Sequence, residues 1–242
     1  MLYTHRDVSF IHLNDSQFLA IACDSCGAIG LKEKDIVMVP PNITGKYTTR
    51  VCLMEILSIG ATPIGITVNI CNEPNPTGNN ILKGVMDELS EAGFDIPITI
   101  STEKNMETYM TALGITIIGI INKNDILIKE LSSGDYIYAI GNPSIGNEVL
   151  ENQALISDLK ILRKVLELEK ENIKEVIPVG SSGIKGELDN LNKYRSIKIR
   201  FINNLKIDIN KSAGPCTVII AISKSKFKND LGIPISLIGK II

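Results

Sequence analysis

From Phe18 to Cys23 the chain reads FLAIAC, an apolar run of strand length that stops at Asp24. Ser25 to Gly30 follow with two glycines and turn the chain. Lys34 to Pro40, KDIVMVP, predicts a second strand halted by Pro40-Pro41. From Lys46 to Ile59 the spacing becomes helical: Val51, Met54 and Leu57 fall on one side, Thr48, Cys52 and Glu55 on another, and Gly60 closes the run. Pro63 to Ile70 is β-rich, and Pro74 to Asn80 is a turn-rich loop. Ile81, Val85 and Leu89 recur at i, i+4 and i+8 beside Leu82 and Met86, so Asn80 to Glu91 is an amphipathic helix closed by Gly93. Ile96 to Ile100 and Gly114 to Ile121 are strands around a polar loop, Ser101 to Thr111. The order β, β, α, β, α, β, β predicts an α+β or mixed α/β layer.

Turns at Asn122 to Asp125 and Leu131 to Asp135 mark a change of subdomain, which divides the chain into residues 1–130 and 131–242. The second part opens on a strand, Tyr136 to Ile140, and a Gly-Asn-Pro loop. Ser157 to Glu169 is helical through Leu159, Leu162, Val165 and Leu166. Val176 to Gly183 reads as an apolar, glycine-containing loop followed by a polar stretch, with strands at Ile197 to Ile202 and Cys216 to Ser223.

Composition narrows the classes. The 242 residues are long enough to bury a core, and 44% apolar with 21% charged residues is ordinary for a globular chain. A net charge of −2, six Tyr, five Phe and no Trp give no footprint for nucleic acid. No apolar run is long enough for a membrane span. Met1 to Asn14 lacks the apolar core of a signal peptide, and the five cysteines are scattered. The expected location is therefore a reducing cytoplasm.

Few residues carry chemistry. Asp24, Glu55 and Glu103 each sit at an element end or on a helix facing a loop. Three such carboxylates converging on a cleft suit a hard cation such as Mg2+, while acids at strand and helix ends are also ordinary solvated surface. Cys23 and Cys26 form a C-x-x-C, but no second pair accompanies it for zinc, and Gly27 and Gly30 oppose the helix start of a redox site. Gly180-Ser181-Ser182-Gly183 is a small loop that can offer backbone N–H groups to phosphate or serve as a plain turn, and the P-loop signature is absent. The only histidines are His5 and His12, which disfavours a Ser–His–Asp hydrolase. Phosphoryl transfer fits that scarcity, because it needs positioning and charge neutralisation above all.

Thr49 to Asn69, TRVCLMEILSIGATPIGITVN, resembles the helix–turn–strand of the aminoimidazole ribonucleotide (AIR) synthetase, or PurM-like, superfamily. The usual pattern is an acid, four residues and Gly-Ala-x-Pro; here Glu55 stands where Asp is usual, before Gly60-Ala61-Thr62-Pro63. Ile21-Ala22-Cys23-Asp24 matches the strand ending in Asp, and Ser101 to Asn105 takes the place of a Gly-Gly-Asp-Thr-like loop. Within the superfamily, Ala22 to Gly30, Thr49 to Val51, Ser101 to Met106 and Pro178 to Ile184 are most similar to the α-ribazole kinases. The resemblance implies a two-domain α+β fold. Its N-terminal mixed sheet would carry helices on one face and form a dimeric barrel, and a shortened C-terminal α/β domain would follow. It further implies an ATP-dependent kinase and a homodimer, with Mg2+ on Asp24, Glu55 and Glu103. The nucleotide would lie against Asp24, Gly27, Gly30, Thr49, Thr102, Glu103, Gly180 and Ser181, and Lys46, Arg50 and Asn105 would neutralise charge during transfer. Ser182 stands where an acid is usual. That departure speaks against the thiamine monophosphate kinase and AIR synthetase types, which stand as alternatives beside a nucleotide-binding assembly protein without catalysis.

Overall fold

Alternation of buried side chains builds the first sheet of the computed structural model, which describes residues 3–242. The chain divides into two units, Met1–Asp125 and Ile126–Ile242. The first contains β1 (Tyr3–His5), β2 (Val8–His12), β3 (Gln17–Gly27), the short β4 (Ile29–Gly30) and β5 (Val37–Met38), α1 (Pro41–Ser58), β6 (Thr62–Ile70), α2 (Asn79–Glu91), β7 (Ile98–Thr102) and β8 (Ala112–Asn122). Six strands run in the order β1-β2-β3-β8-β6-β7. Only the β6–β7 pairing in this sheet is parallel, so the sheet is mixed.

One face is apolar and covered. Phe18, Ala20 and Ala22 of β3, Ile115 and Ile117 of β8, and Ile66 and Val68 of β6 are buried. So are Cys52, Leu53 and Ile56 of α1 and Ile81, Val85 and Leu89 of α2, and α1 packs on β3, β8 and α2. Period-2 alternation on the strands and the i, i+4 spacing of α2 deliver these side chains to one layer.

Two expectations need correction here. The helix begins at Pro41 rather than Lys46, because a proline at N1 lacks only an N–H that has no helical partner anyway. The second strand shrinks to Val37–Met38, paired in parallel with Ile29–Gly30, while Ile36 and Met38 stay exposed. Gly60, at φ +89°, ends the turn after α1 as expected.

The second unit holds β9 (Tyr136–Ile140), α3 (Glu148–Glu151), α4 (Leu159–Leu168), β10 (Ile173–Pro178), α5 (Gly183–Arg195), β11 (Ile199–Phe201), β12 (Ile219–Ser223) and β13 (Ile235–Ile241). Its sheet order is β10-β12-β9-β13-β11. Every pairing is antiparallel, so this unit is α+β and not the expected α/β. The stretch Val176 to Gly183 read as a loop begins inside β10, which ends at Pro178, and the polar stretch after it is α5. Ile184, Leu188 and Leu191 of α5 bury against Ile177, Ile220 and Ile222. Among the described residues, no helix is long and apolar enough to cross a membrane.

Candidate functional site

The alternation that buries Phe18, Ala20 and Ala22 continues to Asp24 and Cys26, which therefore face the α1 side of β3. Asp24 is half-buried, and its carboxyl is raised to about 6. Burial is the main cause; the Asp7 carboxylate adds to it, and a hydrogen bond from the Ser25 backbone opposes it. The register Val8↔Ala22 brings the turn carrying Arg6 and Asp7 to this end of β3. From α1, Cys52 lies under the strand, its thiol donating to the Ile115 carbonyl at 3.4 Å, and Ile115 is the register partner of Asp24.

Glu55 lies one turn further along α1 and is buried. Its Oε2 is 3.7 Å from Arg6 Nη1, and Arg6 Nη2 donates to Ser58 Oγ at 3.1 Å. Glu103 lies just beyond β7 and is half-buried. Its Oε1 accepts from the N–H of Asn105 at 2.6 Å and of Met106 at 3.1 Å. Those two N–H groups hold its carboxyl below the usual carboxylate range. Among the described residues, no three His, Cys, Asp or Glu side chains are grouped closely enough to hold a metal ion. The structure thus does not gather Asp24, Glu55 and Glu103 into one centre. Asp24, with Asp7 beside it, fits a hard cation, because Mg2+ takes one or two carboxylates and completes its shell with phosphate oxygens and water. Glu55 fits poorly, since a guanidinium already faces it.

The other expected residues scatter. Lys46 and Arg50 bridge α1 to α2: Lys46 Nζ is 2.5 Å from Glu91, and Arg50 donates to both oxygens of Glu88 at 2.7 and 3.1 Å. Thr49 is buried and donates to the Gly45 carbonyl at 2.8 Å. Asn105 sits in the turn that Glu103 caps, and Thr102 is half-buried on β7 opposite Ile70. Gly27 ends β3 in open space. Gly30 is wedged: a Cβ there would lie 2.1 Å from Thr111 Oγ1 and 2.6 Å from Asp35 Oδ2. Gly180 and Ser181 belong to the second unit, where the Gly180 carbonyl accepts from Ala213 N–H at 3.1 Å and Ser181 is exposed.

The C-x-x-C carries no redox pair. Residues three apart on a strand point to opposite faces. Cys23 is exposed, whereas burial and the neighbouring Asp24 charge push the Cys26 thiol up to about 11, partly opposed by a hydrogen bond with Thr48. Arg6 and Asp7 were missed in the sequence; the alternation of Val8, Phe10 and the polar residues around them is the signal that marks the strand holding them in place.

The raised Asp24 carboxyl has a consequence for stability. A carboxyl raised on folding contributes most when protonated, and that contribution is lost as pH rises from about 4 through about 6. At neutral pH the folded protein therefore carries a partly desolvated anion. Asp24→Asn should match the wild type in urea melts near pH 4 and exceed it by about 1 kcal/mol at pH 7, the figure being discounted for partial exposure. An advantage of equal size at both values would contradict the assignment.

Comparison with known proteins adds likenesses of sequence and fold. Residues 5–121 match the family model of AIR synthase related protein, N-terminal domain. The first unit is similar to that domain over the matched residues. The fold of the chain is PurM-like and α+β. No curated protein matches the sequence. Among solved structures, thiamine monophosphate kinase from Aquifex aeolicus aligns at a TM-score of 0.67 and 12% identity, covering 98% of this chain and 89% of the kinase. AaThiL complexed with AMPPCP and TMP aligns at 0.64 and 10% identity, over 97% of this chain and 84% of that one. Thermotoga maritima PurL complexed with ATP aligns at 0.65 and 14% identity over 98% of this chain. The chain spans 37% of the length of that PurL. Within the matched residues, β3 carries Asp24, α1 carries Glu55 and the segment after β7 carries Glu103.

Proposed function

We propose that the protein is a cytoplasmic, Mg2+- and ATP-dependent phosphotransferase. Its acceptor of first choice is the nucleoside α-ribazole, phosphorylated at the 5′-hydroxyl in salvage of the lower cobalamin ligand. One observation carries the kinase class: both units together overlap 89% of a thiamine monophosphate kinase, against 37% of PurL. The choice of acceptor rests on residues 22–30, 101–106 and 178–184, which resemble α-ribazole kinases.

Asp24 is the protein's main carboxylate for the cation, and the bound Mg2+ would neutralise nucleotide phosphate charge. Glu103, Thr102, Gly27 and Gly30 lie in or beside the same domain's strand ends and are candidates to line the nucleotide, with Gly180 and Ser181 as candidates from the second unit. Asn105 is the exposed polar side chain among the three residues expected to assist transfer. Lys46 and Arg50 are engaged by Glu88 and Glu91, which favours a structural part for them.

An ADP-release assay with Mg2+, ATP and a panel of acceptors tests this function. Turnover is expected with α-ribazole. Turnover with thiamine monophosphate alone would move the acceptor and keep the class, and ATP binding without turnover on any acceptor would favour a nucleotide-binding assembly protein.

We also propose a homodimer through the sheet face that the helices leave bare. Ile11, Leu19, Ile21, Ile118 and Ile120 lie half-buried on that face, and Ile64 is 42% exposed. A contiguous apolar face of this kind is unusual on a monomer. Light scattering after size exclusion should give a dimer mass, and Ile21→Lys with Ile118→Lys should give a monomer. A wild-type monomer at micromolar concentration would sink the proposal.

A further inference from the structure

We infer that Asn72 is the positioning residue for Glu103: it ties down both ends of the segment that carries this carboxylate. Asn72 lies just past the end of β6 and is fully buried. Its Nδ2 donates to Thr108 Oγ1 at 2.9 Å and to the Met110 carbonyl at 2.8 Å, and its Oδ1 accepts from the Ala112 N–H at 2.9 Å. Its own carbonyl accepts from the Glu103 N–H at 3.0 Å, a donor shared with the Ile70 carbonyl at 3.1 Å. The backbone of Asn72 thus holds the start of the segment 103–112, and its side chain holds the finish. Residues 104–107 between them are exposed, so these two anchors decide where the turn capped by Glu103 sits.

The residue type follows from the bonds. A short amide offers two N–H donors and a carbonyl acceptor on one side chain; aspartate lacks the donors, and an apolar residue lacks both. Without that amide the Ala112 N–H and the Met110 carbonyl lose their partner, and the segment gains freedom to move. A second clamp sits beside the first. Asp35 accepts from the Thr111 N–H and hydroxyl, each at 2.7 Å, and from the Lys32 N–H at 2.8 Å, while Lys32 Nζ donates to the Thr108 carbonyl at 2.8 Å. Asp35 and Lys32 hold the finish of the segment; Asn72 holds the start as well. The consequence for nucleotide binding rests on the reading of Glu103 as a residue that lines the Mg2+–nucleotide.

The test is a double-variant cycle on the full chain, read by calorimetric titration with Mg2+ and a non-hydrolysable ATP analogue. Glu103→Gln and Asn72→Ala should each weaken binding about tenfold, and the double variant also about tenfold, because a displaced Glu103 has no contact left to lose. A merely structural Asn72 would lower the thermal midpoint and leave the effect of Glu103→Gln intact. A double variant weakened about a hundredfold would therefore overturn the inference, as would wild-type affinity in Asn72→Ala. Hydrogen exchange of the free protein supplies a readout that needs no nucleotide. In Asn72→Ala the N–H groups of Asn105 and Met106 should exchange at least about tenfold faster than in the wild type, and unchanged exchange there would contradict the positioning role. Should Asn72→Ala fail to fold, Thr108→Val removes one of its side-chain partners and takes its place in both experiments, with effects of about threefold. The nucleotide reading fails separately. If the wild type binds no analogue, or Glu103→Gln binds it as the wild type does, Glu103 leaves the nucleotide site, and the exchange at Asn105 and Met106 still decides whether Asn72 places it.

Discussion

Gly84→Ala is expected to destabilise the first unit by about 3 kcal/mol, net of the ~1 kcal/mol that alanine gains over glycine in a helix. The reason is the crossing of α1 and α2. A Cβ on Gly84 would lie 1.8 Å from the Asn42 carbonyl oxygen and 2.9 Å from its Cα. The contact is reciprocal, for a Cβ on Gly45 would lie 2.2 Å from the Ile81 carbonyl oxygen. Both obstacles are backbone, so no rotamer change relieves them and the helices must move apart. That movement opens the layer in which Leu53, Ile81 and Val85 are fully buried. Gly27→Ala is the control, because a Cβ there meets nothing within 4 Å and its melt should stay within about 0.5 kcal/mol of wild type. Urea denaturation measures both. A Gly84→Ala protein that melts like the control would mean that the helix backbones do not touch.

Glu88→Ala is expected to cost about 3 kcal/mol or more at neutral pH. Glu88 is 2% exposed and accepts from Arg50 at 2.7 and 3.1 Å, with Lys46 Nζ a further 3.8 Å away. The Arg50 guanidinium also lies 4.5 Å over the Tyr47 ring. Removing the carboxylate leaves that guanidinium buried against the α1–α2 seam. Most of the cost comes from taking the carboxylate countercharge away from a buried guanidinium and little from the net worth of the pair itself. The double replacement Arg50→Met with Glu88→Leu should therefore recover most of the loss. A double variant as unstable as the single one would show that packing, and not charge, dominates here. The same contacts explain why Lys46 and Arg50 are poor candidates for neutralising a phosphate: the carboxylates of α2 already hold them.

Much of the fold was legible because its signals are local. The spacing of Ile81, Val85 and Leu89 locates α2, and FLAIAC ending at Asp24 locates β3. The start of α1 was misplaced because a proline reads as a breaker until its position in the first turn is known. Helix α5 was missed because its surface is polar and only Ile184, Leu188 and Leu191 carry the helical period. Strands β1, β2 and β13 are short or lie at the chain's ends, where few turn signals frame them.

The site was less legible for a physical reason. Spacing placed Glu55 on the side of α1 that carries Thr48 and Cys52. It could not reveal that Arg6 lies against it, because that pairing is made by β2 folding onto β3. Likewise the C-x-x-C pattern presupposes a helix, and on a strand it separates its two thiols. Asp24 was the reverse case. Its place on the strand was visible; the structure extends β3 past it to Gly27, where a turn was expected, and adds the burial and the neighbouring Asp7 that distinguish it from a solvated surface acid.

The central claim, an ATP-dependent phosphotransferase whose cation is held through Asp24, is tested most directly by calorimetric titration. A non-hydrolysable ATP analogue with Mg2+ would be titrated into the wild type and into Asp24→Asn at pH 7.5. The expected result is saturable, Mg2+-dependent binding to the wild type, weakened at least about tenfold in Asp24→Asn, a difference of about 1.4 kcal/mol. Absence of binding to the wild type, or equal affinity for both proteins, would contradict it.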